Sequence, residues 1–233
     1  MHLAILSDIH SNLEALTTAF EIIDTRSVDE VICLGDVVGY GANPNECLNL
    51  VRSRCSTILL GNHDLAAIDL SVTEQFTMNA RIAAVWTNRQ LTAEHKQFLE
   101  TLPLTHSRED ILFVHASPCN PEEWDYIFSD VDARRAFRHF SEEICFIGHS
   151  HTPEVFSESR QSNVVSRGDR YLVNVGSVGQ PRDRNPLLSF GLFDTTSWVY
   201  EQIRADFDRA AAAEKILNAE LPPLLAHRLF SGT

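Results

Sequence analysis

Leu3-Ala4-Ile5-Leu6-Ser7-Asp8-Ile9-His10-Ser11-Asn12-Leu13-Glu14-Ala15-Leu16 is the stretch on which the fold turns. It opens with four apolar residues in succession rather than an alternation, the pattern of a strand buried on both faces. A short polar segment follows at once and carries Asp8 and His10. Leu13, Leu16, Phe20 and Ile23 then recur at helical spacing, and Ser11 with Glu14 three residues on fits a capping box. Buried strand, polar turn and amphipathic helix thus follow one another within the first two dozen residues.

The same rhythm recurs further along. Apolar runs lie at Val31 to Leu34, Ile58 to Leu60, Ile111 to Val114, Ile144 to Ile147 and Tyr171 to Val175. Leu188 to Leu192 and Trp198 to Ile203 read as a late hairpin turning near Asp194 to Ser197. Helical patterns cover Asn45 to Arg54, the segment marked by Met78, Ile82 and Val85, Glu94 to Leu102, and Asp206 to Glu220 before Pro222-Pro223. Strands alternating with helices predict an α/β layered sandwich. Ala66 to Ser107 contains no convincing strand and reads as a helical insertion or cap beside the site. No repeat, low-complexity tract or linker divides the 233 residues, so one domain over 1–233 is expected.

Composition narrows the function classes. Acids outnumber bases 32 to 19, a net charge of −13, and such a field disfavours a nucleic-acid scaffold. No apolar run is long enough to span a bilayer, and Asp8 and His10 interrupt the first run too early for a signal peptide. Five scattered cysteines with no C-x-x-C pair suggest reduced thiols and a cytoplasmic protein. Cys33 and Cys145 lie inside strands and read as packing residues.

The chemistry follows the apolar runs. Asp8 and His10 come after the first, Asp36 after the second, Asn62, His63 and Asp64 after the third, His115 after the fourth, and His149 and His151 after the fifth. Strand C-termini of one sheet open on a common edge, where ligands bind in α/β folds. Five of the ten histidines fall at these ends; His2, His95, His106, His139 and His227 do not and read as ordinary histidines. Carboxylates, imidazoles and one amide oxygen form a borderline-hard donor set that suits Mn, Fe, Zn or Ni.

Asp8-Ile9-His10, Gly35-Asp36, Gly61-Asn62-His63-Asp64, His115 within Val114-His115-Ala116-Ser117-Pro118, and Gly148-His149-Ser150-His151 occur in this order. Together they resemble the calcineurin-like metallophosphoesterase superfamily, whose signature runs D-x-H, G-D, G-N-H-[DE], a lone His, and G-H-x-H. Asn174 to Arg182 is similar to a Gly/Pro-rich loop of that superfamily's small bacterial and archaeal phosphodiesterase branch. The resemblance implies a four-layer α-β-β-α sandwich of mixed sheets and two metal ions. Asp8, His10, Asp36 and His151 would hold the first; Asp36 would bridge to the second, completed by Asn62, His115 and His149. His63 would contact substrate and protonate the leaving oxygen, or only position the substrate, with Asp64 orienting it.

The implied activity is phosphoester hydrolysis by a hydroxide bridging the two metals, whose shared charge acidifies water. A phosphodiester or dinucleoside polyphosphate is the expected substrate, a small phosphorylated molecule in either case. A phosphomonoesterase of the same fold and a non-catalytic scaffold are the alternatives. The protein Ser/Thr phosphatase branch carries an Arg where this chain has Tyr40, and Glu where it has Asp64, which argues against a phosphoprotein substrate. Arg182 is the candidate substitute phosphate contact. A haloacid-type phosphatase needs D-x-D, and His10 occupies the second position. The apolar groups of the insertion leave a homo-oligomer open.

Overall fold

Strand β1 (His2–Leu6) shows why the chain is layered. Successive side chains of a strand point to opposite faces. Leu3 and Ile5 accordingly enter one apolar cluster, Ala4 and Leu6 another, and all four are fully buried. The structure, a computed structural model, describes residues 1–159 and 164–233.

In the first sheet β1 lies parallel to β2 (Glu30–Cys33), which lies parallel to the two-residue β3 (Thr57–Ile58). In the second, β4 (Thr105–Arg108) runs antiparallel to β5 (Ile111–Val114), and β6 (Ile144–Ile147) is parallel to β5. There β7 (Glu154–Ser157) closes the sheet antiparallel to β8 (Tyr171–Asn174), itself parallel to β6. The hairpin of β9 (Leu188–Asp194) and β10 (Val199–Ala205) extends the first sheet, with β9 antiparallel to β1. The orders are β10-β9-β1-β2-β3 and β4-β5-β6-β8-β7.

The sheets face each other across Leu3, Ile5, Ile32, Phe113, Phe146 and Phe193. Phe146 anchors this layer, its ring centre 5.7 Å from that of Phe113 and 5.3 Å from that of Phe193. On the outside of the first sheet pack α1 (Leu13–Asp24), α2 (Pro44–Arg54), α7 (Arg209–Asn218) and α8 (Pro223–Ser231). Outside the second lies α6 (Asp130–Ala136), through Ala133, Ala136 and Phe137. This is the four-layer α-β-β-α arrangement the resemblance implies.

Between β3 and β4 run α3 (Asn62–Ile68), a 3₁₀ turn (Leu70–Gln75), α4 (Met78–Gln90) and α5 (Ala93–Leu99). The segment is helical as expected, except that its end, Thr105–Arg108, is an edge strand. Thr, His, Ser and Arg give no apolar run because an edge strand with half-exposed faces needs none. The buried face of α4 also differs: Ala80, Ala83, Ala84 and Thr87 pack inward, while Met78 and Ile82 are exposed. Small residues let the helix approach closely, and the larger ones face away. The cap of α1 is Asn12, not Ser11: Asn12 Oδ1 accepts from Ala15 N at 3.1 Å. α7 already ends at Asn218, ahead of Pro222-Pro223, and the two prolines open α8 instead, Pro223 taking the first helical position.

No helix among the described residues is long and apolar enough to cross a membrane. The parallel strands deliver Asp8, Asp36, Asn62, His115, His149 and His151 to one edge shared by both sheets. Phe146→Ala should lower unfolding stability by about 3–5 kcal/mol through the cavity it opens between the sheets. Leu224→Ala, on an exposed turn of α8, should change it by less than about 0.5 kcal/mol; urea denaturation followed by circular dichroism reads both.

Candidate metal centre

Asp8, His10, Asp36, His149 and His151 all have left-handed backbone conformations, with φ between 50° and 66°. Asp and His tolerate this region better than most residues, and the sharp turns drop each side chain back over its strand end. Two glycines make room. A Cβ at Gly61 would collide with the Asp36 carboxylate, and one at Gly148 with Ser7 Oγ and Asp8 Oδ2.

Backbone amides then fix the carboxylates. Asp8 Oδ2 accepts from His149 N at 2.9 Å, and Asp36 Oδ1 from His63 N at 2.8 Å. The second oxygen of each points inward, and Asp8 Oδ1 has no hydrogen-bond partner.

The imidazoles are oriented in the same manner. His10 Nδ1 lies 3.1 Å from Val38 O, and His151 Nδ1 lies 2.5 Å from Gln180 O. A carbonyl only accepts, so Nδ1 carries the proton in both rings and Nε2 presents a lone pair. The two Nε2 atoms are 3.0 Å apart, and Asp8 Oδ1 is 3.2 Å from that of His151. Three electron-rich atoms facing one another in a dry pocket repel unless a cation lies among them.

A second group forms beside it. Asp36 Oδ2 is 3.4 Å from His115 Nε2 and 3.6 Å from His10 Nε2, so it reaches both groups. His115 Nε2, His149 Nε2 and Asn62 Oδ1 are buried and make no hydrogen bond among the described residues. The donor atoms of Asp8, His10 and His151 lie within 4.8 Å of one another, as do those of Asp36, His115 and His149.

Burial holds His10 and His151 below the ordinary histidine range and lowers His149 to about 3, His115 adding to that last shift. These rings are therefore neutral, the form that binds metal. Burial presses His115 down as well, but the Asp36 carboxylate outweighs it and raises that imidazole to about 9.

The remaining expected residues divide. His63 is buried between the rings of Tyr40, at 4.4 Å, and Phe76, at 4.8 Å, with Nδ1 unpartnered. Asp64 does not touch His63 by a hydrogen bond. Its carboxylate accepts from Val38 N at 3.0 Å and Gly61 N at 3.1 Å, so it organises the two loops that carry Asp36 and Asn62. Burial, with Asp36 adding, raises Asp64 to about 7, against the pull of those two amides. Arg182 sits with its guanidinium 5.5 Å from the centre of the Tyr40 ring, and Tyr40 lies 4.7 Å from His10.

The residues missed by sequence reasoning are Phe76, Trp124, Tyr126 and Ser177. The ring of Tyr126 stacks on that of His149 at 3.9 Å, while Trp124 meets His115 edge-on at 5.9 Å. With Asn62, Leu65 and Gln75, the aromatics Phe76, Trp124 and Tyr126 line a cleft of ≈ 440 Å³. Nothing in Asn120 to Phe128 marked them except three aromatics at alternate positions. Ser177, from the loop after β8, donates to Asp8 O at 2.7 Å and accepts from Gln180 N at 2.8 Å.

Residues 1–197 match the calcineurin-like phosphoesterase superfamily domain. The chain belongs to that superfamily. It is 39% identical over 243 residues to an uncharacterised protein, MJ0912, of Methanocaldococcus jannaschii, covering 99% of this chain and 98% of the relative. Among solved structures it is similar to a metallophosphoesterase from Sphaerobacter thermophilus, with 36% identity, a TM-score of 0.89, and coverage of 100% and 99%. The hypothetical protein PH1004 of Pyrococcus horikoshii OT3 shares the fold at a TM-score of 0.85 and 19% identity, over 100% of this chain and 98% of that one.

The superfamily is metal-dependent, and the two donor groups fit that requirement: their donor atoms are buried and convergent, and Asp8 Oδ1, Asn62 Oδ1, His115 Nε2 and His149 Nε2 make no hydrogen bond among the described residues. Because the Asp36 carboxylate raises His115, a metal ion held by the second group would displace a proton from that imidazole. Calorimetric titration of the metal-free phosphoesterase near pH 7.5, in buffers of different ionisation enthalpy, should count about one proton released. A count near zero would mean that His115 is already neutral.

Proposed function

We propose that the protein hydrolyses phosphodiesters or dinucleoside polyphosphates with two metal ions. Asp8, His10 and His151 would hold one ion, Asn62, His115 and His149 the other, and Asp36 would serve both. The observation that carries this reading is the position of Asp36 Oδ2, within 3.6 Å of His10 Nε2 and 3.4 Å of His115 Nε2. Oxygen and nitrogen donors without thiolate favour Mn, Fe, Zn or Ni. When bound, the ions would supply Lewis-acid stabilisation of the phosphoryl oxygens and acidify water.

The chain's own groups then divide the work. His63 is held by flanking rings, and burial lowers it to about 4, so it meets the substrate as a neutral imidazole. As a neutral ring it offers an N–H hydrogen bond to the leaving oxygen; it passes a whole proton only after first taking one up from solvent to become imidazolium, which the substrate's negative charge favours. Asp64 positions His63 indirectly, by clamping the loop that carries it. The walls of the ≈ 440 Å³ cleft, Phe76, Trp124 and Tyr126, suit a flat leaving group such as a nucleobase. Glu122 and Glu123 on the same cleft disfavour a phosphate chain there while accepting from base amines.

The test is hydrolysis of bis(p-nitrophenyl) phosphate, p-nitrophenyl phosphate and diadenosine tetraphosphate by chelator-stripped protein reloaded with Mn²⁺. Turnover should return with metal and favour the diester or the dinucleotide. A preference for the monoester would shift the reading to a phosphomonoesterase. Asp36→Asn should abolish turnover and reduce the metal bound, measured by elemental analysis; full activity in this variant would sink the two-ion reading. His63→Gln should cut kcat by about 10²-fold or more on alkyl diesters. It should cost much less with a p-nitrophenyl leaving group, which needs no proton, and equal losses would restrict His63 to binding.

A further inference from the structure

We propose that Arg182 and Arg228 together bind a second phosphate group of the substrate, next to the group being hydrolysed. The proposal rests on the phosphoesterase reading above and narrows its substrate class to molecules carrying at least two phosphates.

The two guanidinium groups share one neutral acceptor. Arg182 Nη2 donates to Gln180 Oε1 at 2.9 Å, and Arg228 Nη1 donates to the same oxygen at 3.2 Å. Neither forms an ion pair among the described residues. Asp183, adjacent in sequence to Arg182, is taken by Arg204. Both side chains are half-buried, and the Nε of each is shut off from solvent without a hydrogen-bond partner. Burial and, after it, the charge of Arg182 hold the Arg228 guanidinium below its ordinary value. Two like charges drawn together around one amide oxygen, with donors left over, are stabilised by an anion that can accept from both forks.

The location specifies which anion. Gln180 holds both guanidinium groups by its side chain, while its backbone carbonyl fixes His151 Nδ1. Arg182 also lies against Tyr40, which contacts His10 and His63. Arg182 is thus linked to the donor groups through Tyr40, and both arginines through Gln180, which places the pair beside the centre, where a neighbouring phosphate of the same molecule would lie. A simple diester carries one negative charge, which the donor groups already attract, and gives the arginine pair nothing to hold. Arg228 comes from α8, beyond the 197 residues that match the superfamily domain. The discriminating group is thus contributed by the C-terminal helix α8 rather than by the strand-end loops that carry the donors.

The test uses the metal-loaded full chain and R228Q, with R228K as the charge-retaining control. Isothermal titration with inorganic pyrophosphate should show Kd raised about 10-fold or more in R228Q and by less in R228K. KM for diadenosine tetraphosphate should rise by a similar factor, with KM for bis(p-nitrophenyl) phosphate and both kcat values unchanged. Equal losses on the two substrates would assign the pair to the reacting phosphate and overturn the proposal, as would an unchanged Kd. Thermal unfolding separates a structural role: removing one of two like charges should leave Tm equal or higher. A lowered Tm with intact pyrophosphate affinity would also overturn it. Pyrophosphate binding needs no turnover, so this comparison stands even if no ester is hydrolysed.

Discussion

Two carboxylates and four donor imidazoles share a pocket that solvent hardly reaches: Asp8 and His115 are 0% exposed and Asp36 is 1%. Charges and lone pairs at that depth are costly unless each is held by a partner. The chain meets the constraint by giving each carboxylate one backbone amide from a neighbouring loop and leaving the other oxygen facing inward. Four of the candidate donors, Asp8, Asp36, His10 and His151, therefore depend on a loop other than their own. Asp8 is anchored from the loop after β6, and Asp36 from the start of α3. His10 and His151 are aligned by the carbonyls of Val38 and Gln180. The double-sheet architecture is what brings those loops to one edge.

Much of this was legible in the sequence, because buried parallel strands need continuous apolar runs and the donors sit directly after them. The unread parts share a physical cause. β4 is an amphipathic edge strand of polar residues, and the insertion helix α4 buries alanines rather than its larger apolar side chains, so hydrophobic pattern pointed elsewhere. Asn12 took the cap role because Ser11 sits in the left-handed region, with its hydroxyl unpartnered. The candidate donor pattern could be read as side chains; the contacts of Asp64 could not, since its partners are backbone amides, Val38 N of another loop and Gly61 N of its own. Nor could Tyr126 or Arg228, whose relation to the site is purely tertiary.

The loop from Asn174 to Arg182 gained most from the structure. Sequence reasoning singled out only its arginine. Its other polar groups lace the centre together: Asn174 donates to Gly148 O at 2.6 Å, Ser177 to Asp8 O, and Gly179 O accepts from Asn12 Nδ2 at 2.8 Å. The loop joins the two sheets' contributions at the point where their donors meet, and so acts as a keystone for groups it does not supply.

The left-handed residues at Asp8, His10, Asp36, His149 and His151 carry a wider implication. A non-glycine residue in that region is strained relative to the broad α and β basins, and here five of the donors share the condition. The centre is therefore written in backbone shape as much as in side-chain chemistry. Grafting the same seven donors onto another α/β sheet with ordinary strand-to-loop turns would give the right atoms aimed in the wrong directions. Homologues that keep the letters but relax these turns would be expected to lose the centre, and a search for functional members of such folds is better guided by torsion angles than by motif alone.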